Sequence, residues 1–203
     1  MTEEATLHEL DEGARPLPLD PELDLFRPPE RQREALARIS TEPHGRVLVA
    51  EQGAFTVGYL TFHRPDPIER WGQDRSGRLI ELGAIEVAPA HRAARLGERL
   101  LERGFAAGVY DDTVVFAGLY AWHYDLARTG LGPLGYRRLL TRFYARVGLL
   151  PVTTSDPEIR SDRANALLAR IGPQAPEEVR GEFERLRTLA VEAGASSRAV
   201  SFS

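Results

Sequence analysis

The sequence predicts a mixed α/β domain, a central sheet flanked by helices, and three observations carry that prediction. Residues 45–64, GRVLVAEQGAFTVGYLTFHR, alternate apolar and polar positions on either side of a short EQG turn, the pattern of a hairpin. Residues 79–105 pass from a strand-like run, LIELGAIEV, through APAHRAAR into Leu96, Leu100, Leu101 and Phe105, which recur at helical spacing. A length of 203 residues, 42% of them hydrophobic, supplies one core and suits one domain with tails.

Taken in order, residues 1–20 are acidic and punctuated by proline. They are expected to be mobile except where RPLPL lies along a sheet edge, and they lack the basic-then-apolar pattern of an export signal, which points to the cytoplasm. The domain proper is placed at 21–173. Pro29 suits a first helical turn, and Leu36 and Ile39 follow at helical spacing. In the hairpin, Val47 and Val49 share one side, and Phe55, Val57, Tyr59 and Thr61 alternate on the return. The loop PDPIERWGQDRSG leaves Trp71 exposed. Strand 79–87 and a helix from about Arg95 come next, then a strand in DTVVFAGLYAW, a helix in PLGYRRLLTRFYARVG and a strand in LLPVTT. DRANALLARIG reads as a helix closed by Gly172. A C-terminal amphipathic helix, 174–191, turns Val179, Phe183, Leu186 and Leu189 or Ala190 inward, and 192–203 form a tail.

Composition narrows the function. No apolar run reaches the roughly eighteen residues that a membrane span needs, and a net charge of −4 gives no reason to expect nucleic-acid or anionic-membrane binding. The absence of cysteine excludes disulfides, thiolate metal sites and a cysteine nucleophile, and five scattered histidines predict no metal. All 26 basic residues are arginine. Codon bias or heat tolerance accounts for that; so would an enzyme that modifies lysines and keeps none of its own. Oligomeric state is left open.

The junction after Val87 carries the first chemistry. If the chain leaves the sheet at Pro89 and the helix begins near Arg95, the amides of Ala93, Ala94, Arg95, Leu96 and Gly97 are first-turn donors aimed at one point, an anion site. Gly97 lets a ligand approach the backbone, and Arg92 and Arg95 add charge. The plainer alternative is a strand-turn-helix with solvated arginines.

Val87, Pro89, Arg92, Leu96, Gly97, Leu100 and Leu101 match the acetyl-CoA signature of the GNAT superfamily of N-acetyltransferases, V-x-P-x-x-[Q/R]-x-x-G-x-G-x-x-L-L, which the chain resembles. Arg95 replaces the first glycine, a position expected to be right-handed helical and so open to a side chain. Longer blocks, FRPPERQREAL, GYLTFHRPDPIERW, LIELGAIEVAP, WHYDL and SDPEIRSDRANALLARIG, resemble the acetoin-utilisation acetyltransferases over residues 26–172. The resemblance implies the GNAT fold with an extra C-terminal helix, acetyl-CoA as donor, and as partner an AMP-forming acetyl-CoA synthetase, braked by acetylation of its catalytic lysine.

Such a transfer needs a neutral amine. A lysine of pKa about 10.4 is mostly protonated at neutral pH, a gap of about 5 kcal/mol that a base and a desolvating pocket must offset. Glu81 and Glu86 on the central strand are the candidate bases. Strict alternation puts them on opposite faces, but the bulge that the superfamily carries there would bring them to one. The alternative for each is a carboxylate paired with arginine. Backbone amides around Ile85 and Val87 would polarise the thioester carbonyl. Tyr144, in FYARVGL, resembles the superfamily's thiolate acid, although SDRANALLARIG resembles the same helix and water would also serve. His123 and Trp122 in WHYDL, with Phe26, Arg70 and Trp71 on the loops, are candidates for the acceptor groove. Structural packing of His123, Trp71 and the prolines is the alternative. Two other functions fit: acetylation of a small amine, and a coenzyme A-sensing partner of the synthetase with little transferase activity.

Overall fold

The computed structural model describes residues 4–189. Seven strands form one sheet: β1 (Thr6–Glu9), β2 (Arg46–Gln52), β3 (Phe55–His63), β4 (Leu79–Val87), β5 (Val114–Leu119), β6 (Leu150–Val152) and β7 (Ala166–Ile171). Their order is β1-β2-β3-β4-β5-β7-β6, and only β4 and β5 pair in parallel. The longer helices are α1 (Pro29–Ile39), α2 (Leu96–Gly104), α4 (Pro133–Ala145) and α6 (Glu177–Arg187); α3 (Leu126–Thr129) and α5 (Pro157–Arg160) are single turns. No helix among the described residues is long and apolar enough to cross a membrane.

Alternation along the strands divides the core between two faces. Leu48, Leu60, Phe62, Ile80, Leu82 and Val115 point to one side, where Leu96, Leu100 and Leu101 of α2 and Tyr136 and Tyr144 of α4 meet them. On the other side Leu36 and Ile39 of α1 pack on Val47, Val49 and Tyr59. Val179, Phe183 and Leu186 of α6 pack there on Leu79, Val114 and Phe116. The expected hairpin, strand 79–87, α2, α4 and the C-terminal helix all form, and the mixed α/β sheet with its extra C-terminal helix is the predicted fold.

Four expectations change. DRANALLARIG is not a helix: residues 166–171 form β7, an inner strand between β5 and β6. Its apolar run ALLA is buried on both faces, and such a run fits a central strand as well as a helix. Gly172 is therefore no helix cap; a Cβ there would lie 2.3 Å from the Asp111 carbonyl oxygen, so close backbone approach requires glycine. The N-terminal segment, expected to be mobile apart from RPLPL, supplies edge strand β1 against β2, while RPLPL lies along the sheet as expected, with Pro18 and Asp20 bonding the backbone of Thr56. The regular alternation expected in the hairpin slips at a bulge opposite Ala50 and Glu51, so Val57 and Tyr59 pack on opposite faces. Helix α6 ends at Arg187; Ala190 and the tail lie outside the described residues.

Candidate active site

β4 and β5 pair only through Leu79–Val114, Ile80–Val115 and Glu81–Phe116. Beyond Glu81 the two strands part, which leaves the β5-facing edge of β4 without a strand partner. A cavity of about 770 Å³ opens at the split. Glu81, Gly83, Ala84 and Ile85 line it from β4, Tyr124, Tyr136 and Tyr144 from one face of the sheet, and Phe26, Arg27 and His63 from the other.

The bulge lies at Gly83: Thr61 pairs with Ala84 but Phe62 pairs with Leu82, so one residue of β4 has no partner. The consequence is a change of parity. Ile80 and Leu82 precede the bulge on the α2 face, and Ile85 and Val87 follow it on the same face. Glu81 and Glu86 thus both face the α1 side, where Ala84 and Ala88 pack and Tyr59 meets Glu86.

Their surroundings differ. Glu86 is 4% exposed; the Tyr59 hydroxyl donates to its Oε2 at 2.6 Å and the Leu25 amide to its Oε1 at 2.9 Å. Its pKa is raised by burial, against which these two bonds act. Among the described residues no arginine forms an ion pair with it. Glu81 has no hydrogen bond or ion pair among the described residues. Burial, opposed by His63 and assisted by Glu69 and Asp66, pushes its pKa up to about 7.

On the opposite wall Tyr136 stacks on Tyr124 at 4.8 Å, the Tyr124 hydroxyl donates to the Ala164 carbonyl at 2.6 Å, and Tyr144 is buried with its pKa raised by desolvation and by the other two rings. With DRANALLARIG a strand, α4 is the helix that brings tyrosines to this wall, Tyr136 and Tyr144, beside Tyr124 from the preceding loop.

Pro89–Ala94 form a 3-10 turn and α2 begins at Leu96. The amide of Arg95 bonds the Arg92 carbonyl, and the first helical bond runs from Arg99 to the Arg95 carbonyl. The helix has no side-chain cap, so the first-turn donors are the amides of Leu96, Gly97 and Glu98, while Ala93 and Ala94 belong to the preceding turn. Arg95 is left-handed, at φ 55° and ψ 28°, not right-handed as expected. This geometry favours glycine and costs arginine about 1 kcal/mol. Its guanidinium pairs with Glu98, and Arg92 bonds the Val87 carbonyl and the buried Asp125 at 2.7 Å. The nearest atoms that a Cβ on Gly97 would meet belong to Phe143 and Val87, at ordinary contact distances of 3.5 and 3.6 Å. No protein atom requires glycine there, which fits a ligand's approach to the uncapped amides.

Of the acceptor-side candidates, Phe26 and His123 line the cavity in edge contact, 5.1 Å apart, and burial lowers the His123 pKa. Trp122 is 58% exposed and stacks on Tyr120 outside the cavity lining. Trp71, expected to be exposed, is buried against Phe116 and Phe183 and lines the cavity. Arg70 is held by Ser155 and by the Leu186 carbonyl at the end of α6, which ties the loop down instead of presenting a free charge. Sequence reasoning missed His63, Gly83, Tyr124 and Tyr136. Tyr136 had a signal, since it lies two helical turns before Tyr144 on one face; His63 had none until the register set it opposite Glu81.

Residues 7–109 match the model of the acetyltransferase (GNAT) family. The chain is 40% identical over 166 residues to acetoin utilization protein AcuA of Bacillus subtilis, covering 82% of this chain and 79% of that protein. The AcuA of Bacillus licheniformis matches with the same identity and coverage. A solved acetoin utilization protein from Exiguobacterium sibiricum, 35% identical, superposes with a TM-score of 0.83 over 92% of this chain and 96% of that one. The signature read at residues 87–101 lies inside the matched region, at the parted strands. The chain belongs to the GNAT family of acetyltransferases.

Proposed function

We propose that this acetyltransferase moves the acetyl group of acetyl-CoA onto a lysine of an AMP-forming acetyl-CoA synthetase in the cytoplasm, lowering acetate activation in acetoin and acetate metabolism. Glu81 carries the reading: a carboxylate without hydrogen-bond or ion-pair partners among the described residues, with its pKa pushed up to about 7, at the point where two parallel strands part. Outside it, Asp66 and Glu69 give the cavity mouth a negative field in which an ammonium enters favourably. The identity to AcuA over 166 residues supports acetoin utilisation as the setting. The arrangement also suits a small amine, but the AcuA resemblance favours a protein lysine.

Acetyl-CoA is consumed as a substrate and supplies a thioester. Leu96 and Gly97 give amides to its pyrophosphate, Arg92 and Arg95 give charge, and Ala93 and Ala94 border the approach. The free edge of β4 at Ile85 and Val87 polarises the carbonyl. Glu81 takes the amine's proton. Tyr144 protonates the departing sulfur, while Glu86 holds the 25–27 segment in place and leaves the chemistry to Glu81. Phe26, His123 and Trp122 border the acceptor groove, with Trp71 beside them and Arg70 fixing that loop.

The test mixes the purified chain, acetyl-CoA and a purified AMP-forming synthetase and follows lysine acetylation by mass spectrometry. Because the chain contains no lysine, every acetyl-lysine belongs to the partner. Time-dependent modification of one lysine with loss of synthetase activity is expected. Acetylation of small amines with an unmodified synthetase would replace the reading.

A further inference from the structure

We infer that His63 is a second proton carrier at this site: it takes from Glu81 the proton that the acceptor amine gives up, and passes it to solvent at the cavity mouth. The inference rests on the reading of Glu81 as base and deepens it.

The geometry starts from register. His63 is the direct partner of Glu81 across the β3–β4 pair; side chains so placed have Cβ atoms about 5 Å apart on one face. Both line the same cavity. The ring's tautomer follows from its one hydrogen bond: Nδ1 lies 2.8 Å from the Arg64 carbonyl oxygen, which can only accept, so Nδ1 carries the hydrogen and Nε2 keeps its lone pair. That nitrogen is turned over the bulge. A Cβ on Gly83 would lie 2.2 Å from Nε2, so glycine at this position is what lets the imidazole occupy the place beside Glu81. Nε2 has no hydrogen-bond partner among the described residues. The bulge is itself held by the Ala84 amide, which donates to Thr61 Oγ1 at 3.0 Å.

The charged groups around the pair are Glu81 across the strands and Asp66 and Glu69 from the following loop, all three acting on the same field. The neighbouring Arg64 guanidinium is turned away to the Gly77 carbonyl. An imidazolium formed here has carboxylates as neighbours, and imidazole is the side chain suited to carrying protons near neutral pH.

The protons balance as follows. An acceptor R–NH₃⁺ gives one proton to the Glu81 carboxylate, and the carboxylic acid passes it to Nε2 of His63 while Nδ1–H stays on the Arg64 carbonyl. The imidazolium then releases one proton to solvent. The freed amine's electron pair forms the C–N bond as the C–S bond breaks, and the remaining ammonium proton is balanced by protonation of the departing sulfur. One proton leaves per acetyl group transferred.

The experiment compares wild type, His63→Ala and His63→Gln in full-length chain, with acetyl-CoA and the synthetase, from about pH 6 to about pH 9 and at several buffer concentrations. Near neutral pH, kcat of both variants is expected to fall about 10- to 100-fold, with KM for acetyl-CoA within about twofold. The deficit shrinks at high buffer concentration, and added imidazole restores part of the His63→Ala rate. The deficit is smaller at high pH, where hydroxide in solvent takes the proton from Glu81 without the imidazole. Unchanged kcat, or a loss equal at every pH that neither buffer nor imidazole relieves, overturns the inference and leaves a packing role. An inactive wild type overturns the substrate reading instead, so the two failures are distinguishable.

Discussion

Glu81 and Glu86 lie on one strand and, because of the bulge at Gly83, on one face, yet their surroundings differ, and the proposed mechanism gives them opposite work. Glu86 receives hydrogen bonds from Tyr59 and Leu25 and is closed off from solvent. Glu81 receives none and borders the cavity at the parted strands. A carboxylate whose lone pairs are filled by fixed donors serves as a strut, since taking up a proton would disrupt those bonds; a desolvated one without donors is poised to take a proton. The difference is a matter of partners as well as exposure: Glu86 is buried and Glu81 half-buried, and burial raises the pKa of both.

The largest effect expected from this comparison is kinetic. Glu81→Gln should lower kcat by about 10²- to 10⁴-fold, whereas Glu86→Gln should lower it less than about tenfold. In wild type kcat/KM should rise with pH through about 7, the value to which Glu81 is pushed, and the limb should vanish in Glu81→Gln. Steady-state rates across pH check both, and equal losses in the two variants would erase the distinction. Next in size is Gly97→Trp, which should weaken acetyl-CoA binding by more than about 100-fold, or roughly 2.7 kcal/mol, by calorimetry. Glu86→Gln should leave that affinity near wild type. Retained affinity in Gly97→Trp would remove the thioester from the place where Glu81 is poised.

Much of the fold around the two carboxylates was legible in the sequence. The hairpin follows from its EQG turn between two strand-forming runs, although both strands are buried on both faces, and the Leu96, Leu100 and Leu101 stripe follows from the one dry face of α2. Residues 166–171 defeated the same reasoning, since a strand buried on both faces has no alternation to reveal it. Glu81 and Glu86 could be named as a pair but not separated: what separates them is a hydroxyl from the neighbouring strand and an amide from residue 25, contacts that local pattern does not encode. Trp71 misled for a similar reason. Its loop is polar, and only the return of α6 supplies Phe183 to cover it.

Stability separates the two carboxylates at a smaller scale. A folded pKa of about 7 against an ordinary 4.5 means that the folded chain holds a proton that the unfolded chain releases. Stability therefore falls as pH rises from about 4.5 to about 7, by about 3 kcal/mol at most. Glu81→Gln should be more stable than wild type above pH 7 and nearly equal to it below pH 4.5. Glu86→Gln should lose about 1–3 kcal/mol, because its amide nitrogen cannot accept one of the two donors. Denaturant melts at the two pH extremes check the pair of signs. An inactive yet stabilised Glu81→Gln would show catalytic poise held at the expense of the fold.

The smallest effect tests the strut most directly. Tyr59→Phe removes only the hydroxyl that donates to Glu86 Oε2 at 2.6 Å; the ring stays in the core with Val47 and Val49, and the Leu25 amide keeps its bond to Oε1. The loss should be about 1 kcal/mol. Since that bond favours the ionised carboxylate, its removal should cost more at high pH, where Glu86 is charged, than at low pH, where it is neutral. Turnover should stay within about twofold of wild type, because neither Tyr59 nor Glu86 handles the migrating proton. A collapse of kcat in Tyr59→Phe, with folding intact, would mean that the hydroxyl and Glu86 form a proton path of their own, and the strut would have to be redrawn as a second base.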